Sequence, residues 1–233
     1  MSRGIFITGT DTGVGKTLVT AGIVRWIRNR GIDAVPMKPV QTGAEKRGAQ
    51  LVAPDLEFCL EACGLSPDPD EVRLMSPYLY EPACSPHLAG RMAGDYVQIP
   101  TIVDCARRLL DKHRVVFVEG AGGILVPLNE RETMLDLMVA LAYPVVLVSR
   151  VGLGAINHAL LSVQALRSAG LEVLGVIFNR TEPPLPENCF IEDDNPRRLH
   201  PSARWRSSAA SVTWTSKAGV LELGLALSDR CPG

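Results

Sequence analysis

The chain has 233 residues, 24 basic against 25 acidic side chains, and 46% apolar composition. That length points to one medium domain, and the near-zero net charge argues against a protein that grips nucleic acid through its phosphates. With 21% charged residues, ample aliphatics and no uninterrupted run of about 18 apolar residues, neither a disordered chain nor a membrane-spanning helix is expected.

In chain order, Gly4–Thr8 reads as a short buried strand and Lys16–Asn29 as a helix ending near Gly31. Asp33–Val40 is a second strand candidate, placed at a sheet edge by Pro36 and Pro39. Asp55–Cys63 looks helical, with Pro54 suited to its first turn. The proline-rich stretch Ser66–Pro86 reads as a long, ordered surface loop. Ile102–Lys112 is a helix, and Arg114–Val118 a fully buried strand running into Glu119 and Gly120. Thr133–Tyr143 is a helix, Pro144–Ser149 a strand, Ala155–Ala169 a helix closed by Gly170, and Val173–Phe178 a strand. Continuous β-branched runs separated by helices predict a doubly wound α/β fold: about five mostly parallel strands with helices on both faces. Ligands of such sheets bind at the carboxyl ends of the strands, where the polar and glycine-rich residues of this chain fall.

The strongest local signal is Gly9-Thr10-Asp11-Thr12-Gly13-Val14-Gly15-Lys16-Thr17, set between a buried strand and a helix. Glycines let the backbone wrap an anion, and the N–H groups of the loop and helix N-terminus point at phosphate oxygens. Thr12, Gly13, Val14, Gly15, Lys16, Thr17 and Leu18 form the expected nucleotide-contacting run. Lys16 reaches the terminal phosphates, and the Thr17 hydroxyl ligates Mg²⁺. The spacing departs from the usual phosphate-loop pattern, which places glycine at position 10, where threonine stands. Carboxylates for the metal are Glu119, at the end of a buried strand, and Asp55, at a helix N-terminus. Glu57 and Glu45 are rivals, and either favoured acid could instead cap a turn or a helix.

The six cysteines (Cys59, Cys63, Cys84, Cys105, Cys189, Cys231) are scattered without a CxxC pair, so reduced thiols are expected. A strand that begins almost at once leaves no room for an export signal, making the cytoplasm the expected location. His87 and His158 read as structural hydrogen-bonding groups, His113 and His200 as solvated.

Five segments in order carry a resemblance: the phosphate loop 9–17, Lys38-Pro39-Val40-Gln41-Thr42-Gly43, Ser85-Pro86-His87, Val118-Glu119-Gly120-Ala121-Gly122-Gly123, and Gly154-Ala155-Ile156-Asn157-His158. Together they resemble the dethiobiotin synthetases over residues 3–180. The resemblance implies an ATP- and Mg²⁺-dependent cyclo-ligase that closes a ureido ring on 7,8-diaminononanoate with CO₂. It implies a carbamate and a carbamic–phosphoric mixed anhydride on the way, with dethiobiotin, ADP and phosphate as products. By the same resemblance Lys38, with Lys16, is catalytic and faces the carbamate and γ-phosphate, and Thr42 contacts substrate. Gly120, Ala121 and Gly122 line substrate and nucleotide through their backbone, while Asn179, with Arg180 beside it, meets the adenine. Gly154, Ala155, Ile156 and Asn157 bind the substrate carboxylate across the interface of a homodimer. No nucleic acid and no membrane enter this reading.

The resemblance stops after Ile191–Pro196. Residues 1–196 are expected to form the domain, and 197–233 an atypical, divergent or out-of-frame tail. Three other readings compete. A partitioning-type ATPase switch would carry an extra lysine early in the phosphate loop, and Gly9–Gly15 has none. A corrinoid amidoligase would need a glutamine-hydrolysing domain that this length does not accommodate. A nucleotide-binding paralogue without activity would not need Lys16, Lys38 and Glu119 intact.

Overall fold

The structure, a computed structural model, describes residues 4–180, 211–214 and 223–226. Its centre is a five-stranded sheet built from β1 (Gly4–Gly9), β2 (Ala34–Met37), β7 (Val115–Gly123), β8 (Val145–Arg150) and β9 (Val173–Asn179). The order is β2-β7-β1-β8-β9 and every pairing is parallel. Alternate residues serve opposite faces. Phe6, Val116, Val118 and Leu147 join one apolar cluster, whereas Ile7, Phe117, Val148 and Ile177 join the other. Helices α5 (Ile99–Lys112), α6 (Met134–Leu141) and α7 (Ala155–Ser168) contribute to the first cluster, and α1 (Lys16–Arg28) to the second. Covering both faces explains the unbroken apolar runs, and the doubly wound architecture is as expected. Gly4 marks a close approach, since a Cβ there would lie 2.2 Å from the Tyr143 ring.

The edge position expected for the second strand holds, but the strand ends at Met37. Val40–Thr42 is a separate strand, β3, paired in parallel with β6 (Tyr78–Tyr80). Lys38 and Pro39 lie between the two, fastened by Lys38 N–H to the Met75 carbonyl (2.8 Å) and Tyr78 N–H to the Pro39 carbonyl (3.2 Å).

The segment 66–86 is not a loop. It holds α3 (Pro69–Met75) and β6, and it buries Leu74, Met75, Tyr78 and Tyr80. Two of its prolines, Pro69 and Pro86, are entry signals rather than breakers, because proline suits the first helical turn, where its missing N–H has no intrahelical partner. Pro54 opens α2 (Pro54–Cys63), Pro69 opens α3 behind an Asp68 cap, and Pro86 opens α4 (Pro86–Ala93). Between β3 and α2 a short antiparallel hairpin joins β4 (Glu45–Arg47) to β5 (Gln50–Val52).

His113 is not solvated either. Its ring is 17% exposed and bracketed by Asp33 (2.8 Å) and Glu71 (2.7 Å), partners from β2's entry and α3 that only the tertiary fold brings together. Burial pushes the Asp33 carboxyl up, but hydrogen bonds from His113 and Arg28 outweigh it and hold the group below its ordinary value. Of the histidines read as hydrogen-bonding groups, His87 has a buried Nδ1 with no partner among the described residues, and His158 is exposed on α7. Cys59, Cys63, Cys84 and Cys105 are free thiols.

The tail expectation for 197–233 and the reading of His200 lie outside the described residues, apart from β10 (Ser211–Trp214) and β11 (Leu223–Ala226), which pair antiparallel. Among the described residues no helix is long and apolar enough to cross a membrane.

Candidate active site

The loop between β1 and α1 wraps tightly because its glycines permit it. Gly13 and Gly15 have φ of +71° and +90°, left-handed values that other residues rarely adopt. Gly9, one position earlier than the usual pattern, is where the loop folds back. A Cβ there would meet Val14 Cγ2 at 2.8 Å and the Asp11 carbonyl at 3.0 Å. Helix α1 starts without a side-chain cap or an acidic first turn, so its N-terminal N–H groups are left for an anion. Lys16, 6% exposed, folds over the loop and donates to the Asp11 carbonyl at 2.9 Å. Burial, then repulsion from Lys38, lowers its ammonium to about 8 against the pull of Glu119, Asp55 and Asp11. The loop is stitched to the end of β8 by Thr10 N–H to the Val148 carbonyl (2.9 Å) and by an Arg150–Asp11 ion pair (2.8 Å).

Three elements converge beside the loop. Thr17 comes from the first turn of α1, Asp55 from the first turn of α2, and Glu119 from β7. Lys38 Nζ lies 2.7 Å from Asp55 Oδ2 and 2.7 Å from Glu119 Oε1, and the Thr17 hydroxyl donates to that same Glu119 oxygen at 2.8 Å. Glu119 is 2% exposed, so its charge is tolerable only because it is paired. Burial acts to lower the Lys38 ammonium, but Glu119 and Asp55 outweigh it and raise it to about 12. The rivals Glu57 and Glu45 are engaged elsewhere, both with Arg47 in the hairpin (2.7 and 3.4 Å). Burial drives the Cys59 thiol well above its ordinary value, which suits an inert packing group under Thr17.

A hydroxyl and two carboxylates are hard oxygen donors, the kind Mg²⁺ prefers. That one ammonium touches both carboxylates shows that they converge on a single cation. Among the described residues no cluster of three His, Cys, Asp or Glu side chains surrounds such a point. Phosphate oxygens and water would therefore complete a Mg²⁺ shell, as is usual for this ion.

These groups open onto a cleft of about 640 Å³. Of the expected residues, Thr12, Gly13, Gly15, Lys16 and Thr17 from the loop and α1 line it, together with Lys38, Thr42, Asp55, Glu119, Ala121 and Gly122. The remaining ones sit differently. Val14 is fully buried in the α1-side core, Leu18 is half-buried behind the loop, and Gly120 is buried where a Cβ would crowd Phe6 at 3.0 Å. Asn179 ends β9 at 1% exposure, its amide donating to the Val14 carbonyl at 3.0 Å and its Oδ1 without a donor among the described residues, while Arg180 is exposed. Gly154–Asn157 form the start of α7 and do not line the cleft, and the adjoining Leu153 is 91% exposed.

The sequence reading missed Ala83, Cys84 and Val126 in the wall of the cleft, and it gave no role to Gln41, Ser85 and Pro86, which lie in two of the segments that carry the resemblance and also line it. The Ser85-Pro86 pair carried the signal, since serine at a helix N-cap followed by proline at the first position marks a helix start.

Comparison with known proteins follows the same lines. A family model described as an AAA domain matches residues 3–216. An ATP-dependent dethiobiotin synthetase BioD of Anaeromyxobacter sp. (strain Fw109-5) is 45% identical over 195 residues, covering 80% of this chain and 82% of that protein. Its counterpart of the same name from Halalkalibacterium halodurans is 40% identical over 194 residues, covering 83% and 77%. Among solved structures, the signal recognition particle receptor FtsY of Elizabethkingia anophelis superimposes with a TM-score of 0.53 at 15% identity, over 96% of this chain and 62% of that one. At that identity the likeness is one of fold alone.

Proposed function

The chain belongs to the dethiobiotin synthetase family, and on that premise we propose that it converts 7,8-diaminononanoate, CO₂ and ATP into dethiobiotin, ADP and phosphate. One amine of the diamine takes up CO₂ and loses a proton, giving a carbamate. A carbamate oxygen attacks the γ-phosphorus of ATP, ADP leaves, and a carbamic–phosphoric mixed anhydride remains. The second amine attacks the carbamoyl carbon, phosphate departs, and the ureido ring closes. The reaction brings two anions together, so preorganised positive charge between them is the main demand on the protein.

The observation that carries this reading is the pair of buried lysines, Lys16 and Lys38, that line one cleft at the phosphate loop. In our assignment the N–H groups of Thr12–Leu18 and Lys16 hold the phosphates, Lys38 spans carbamate and γ-phosphate, and Thr42 orients the diamine. Backbone groups of Gly120, Ala121 and Gly122 border substrate and nucleotide, and Asn179 and Arg180 lie on the adenine side. Thr17, Asp55 and Glu119 would hold Mg²⁺, which supplies charge neutralisation at the phosphates. Gly154, Ala155, Ile156 and Asn157 would serve the neighbouring subunit of a homodimer, where a helix N-terminus suits the substrate carboxylate. The free thiols accord with a reducing, cytoplasmic setting. We keep residues 1–196 as the working unit and assign no role to 197–233.

The test is direct. Protein incubated with 7,8-diaminononanoate, bicarbonate and MgATP should yield dethiobiotin by mass spectrometry, and omitting any component should abolish it. Tight MgATP binding without product would overturn the assignment. A finer expectation concerns Thr17→Val, which removes the hydroxyl yet keeps the shape. It should erase most of the Mg²⁺-dependent gain in ATP affinity while leaving metal-free ATP binding nearly unchanged. Equal losses with and without Mg²⁺ would show that Thr17 acts through the loop rather than through the metal.

A further inference from the structure

We propose that Lys38 is a built-in cation for the metal site, and that a divalent ion and the Lys38 ammonium exchange places on Asp55 and Glu119. The proposal rests on the metal-site assignment above and extends it to the order of events. The ammonium sits 2.7 Å from a carboxylate oxygen of each acid, and Glu119 Oε1 also accepts from the Thr17 hydroxyl at 2.8 Å. An ion coordinated by Thr17, Asp55 and Glu119 would compete with the ammonium for the same carboxylates, and most directly for Glu119 Oε1, which Thr17 and Lys38 share. The ammonium is repelled from these carboxylates once the ion is bound, because two cations would then stand within a few ångströms inside a half-enclosed cleft.

The architecture suits an exchange of this kind. Lys38 lies between β2 and β3, and its backbone is anchored on both polar groups. Its N–H donates to the Met75 carbonyl, and its carbonyl accepts from Ser76 Oγ (2.8 Å). Only the four-carbon stem is free to swing. Lys16 and the phosphate loop line the same cleft, and the Lys16 charge repels the ammonium. A displaced ammonium therefore settles in the cleft only when anionic oxygens receive it. Lys38 thus guards the buried Glu119, whose charge would otherwise be costly, together with the partly exposed Asp55, and it is delivered to the reacting oxygens by the arrival of the metal.

Nucleotide-free protein suffices for the test, with Mn²⁺ as a paramagnetic probe of binding and Mg²⁺ alone in the labelling arm. Lys38→Met should bind Mn²⁺ at least about tenfold more tightly than the wild type, because the competitor is gone. Lys16→Met removes the same charge from the same cleft but no partner of the acids, so its change should stay within about threefold. In the wild type, saturating Mg²⁺ should raise acylation of Lys38 by an amine-reactive reagent, read by peptide mass spectrometry against the exposed Lys46. Equal tightening in both variants would reduce the effect to the general field of the cleft and overturn the proposal. Unchanged Mn²⁺ affinity in Lys38→Met, or unchanged Lys38 labelling at saturating metal, would overturn it as well. Should Lys38→Met lose its thermal transition, the wild-type labelling decides alone. Absence of dethiobiotin synthesis with the exchange intact would strike the substrate assignment and leave this inference standing.

Discussion

Lys38→Ala is expected to lower the rate of dethiobiotin formation by at least about 10²–10³-fold while the fold survives, a loss typical of removing one preorganised electrostatic group. The reason lies in what the lysine faces. Its ammonium is buried and paired with both Asp55 and Glu119, so it is held at the edge of the cleft before any substrate arrives. Alanine leaves those carboxylates to repel the triphosphate and the carbamate of the proposed mechanism, two anions that already repel one another. The backbone around position 38 is secured independently by Met75 and Ser76, so circular dichroism and the thermal transition should report a folded protein. Arginine should not rescue, because its planar fork is larger and places its charge differently. A near-normal kcat in the alanine variant would remove Lys38 from the reaction altogether.

Glu119→Gln should cost a similar factor by a different route. Glutamine keeps the shape of the side chain and an oxygen able to accept from Thr17, so the junction of β7 with α1 is preserved. What disappears is the charge that balances Lys38 and would hold Mg²⁺. Turnover should fall by about 10²–10³-fold, and ATP should bind equally well with and without Mg²⁺. Those two affinities, measured on one preparation, separate a metal-ligand role from a structural one. Retention of the Mg²⁺-dependent gain in affinity would exclude Glu119 as a ligand.

The elements of the sheet were readable because each is a local pattern. A β-branched run between helices marks a strand covered on both faces, and each of the five predicted runs overlaps an observed strand, although the second, read as Asp33–Val40, ends at Met37. The phosphate loop was readable for the same reason, since strand, glycines, lysine and helix are contiguous in the chain. Misreadings arose where one residue type has two meanings. Pro69 and Pro86 read locally as loop residues, yet each occupies the first turn of a helix. Local sequence does not distinguish those uses, because what decides is whether the following residues find a surface to bury against. Leu74, Met75 and Tyr78 find one.

The candidate site divides along the same line. The types of residue needed (a loop lysine, a hydroxyl, two acids and a second lysine) could be named from the chain by itself. Their pairing could not, because Thr17 and Glu119 are 102 residues apart, and Lys38 and Glu119 are 81 apart. Only the parallel order that sets β7 between β1 and β2 brings those positions to one end of the sheet. The same holds for Asp55 over Glu45 and Glu57. All three acids precede or open α2, and the tertiary structure alone commits the latter two to Arg47. His113 is the plainest instance, polar and isolated in sequence yet clasped in space by Asp33 and Glu71. Sequence by itself thus determined the class of fold, the anion loop and the kinds of chemical group available, since these depend on neighbours in the chain. The tertiary structure decided which charges meet, because ion pairing depends on distances of about 3 Å between segments that only the assembled sheet brings together.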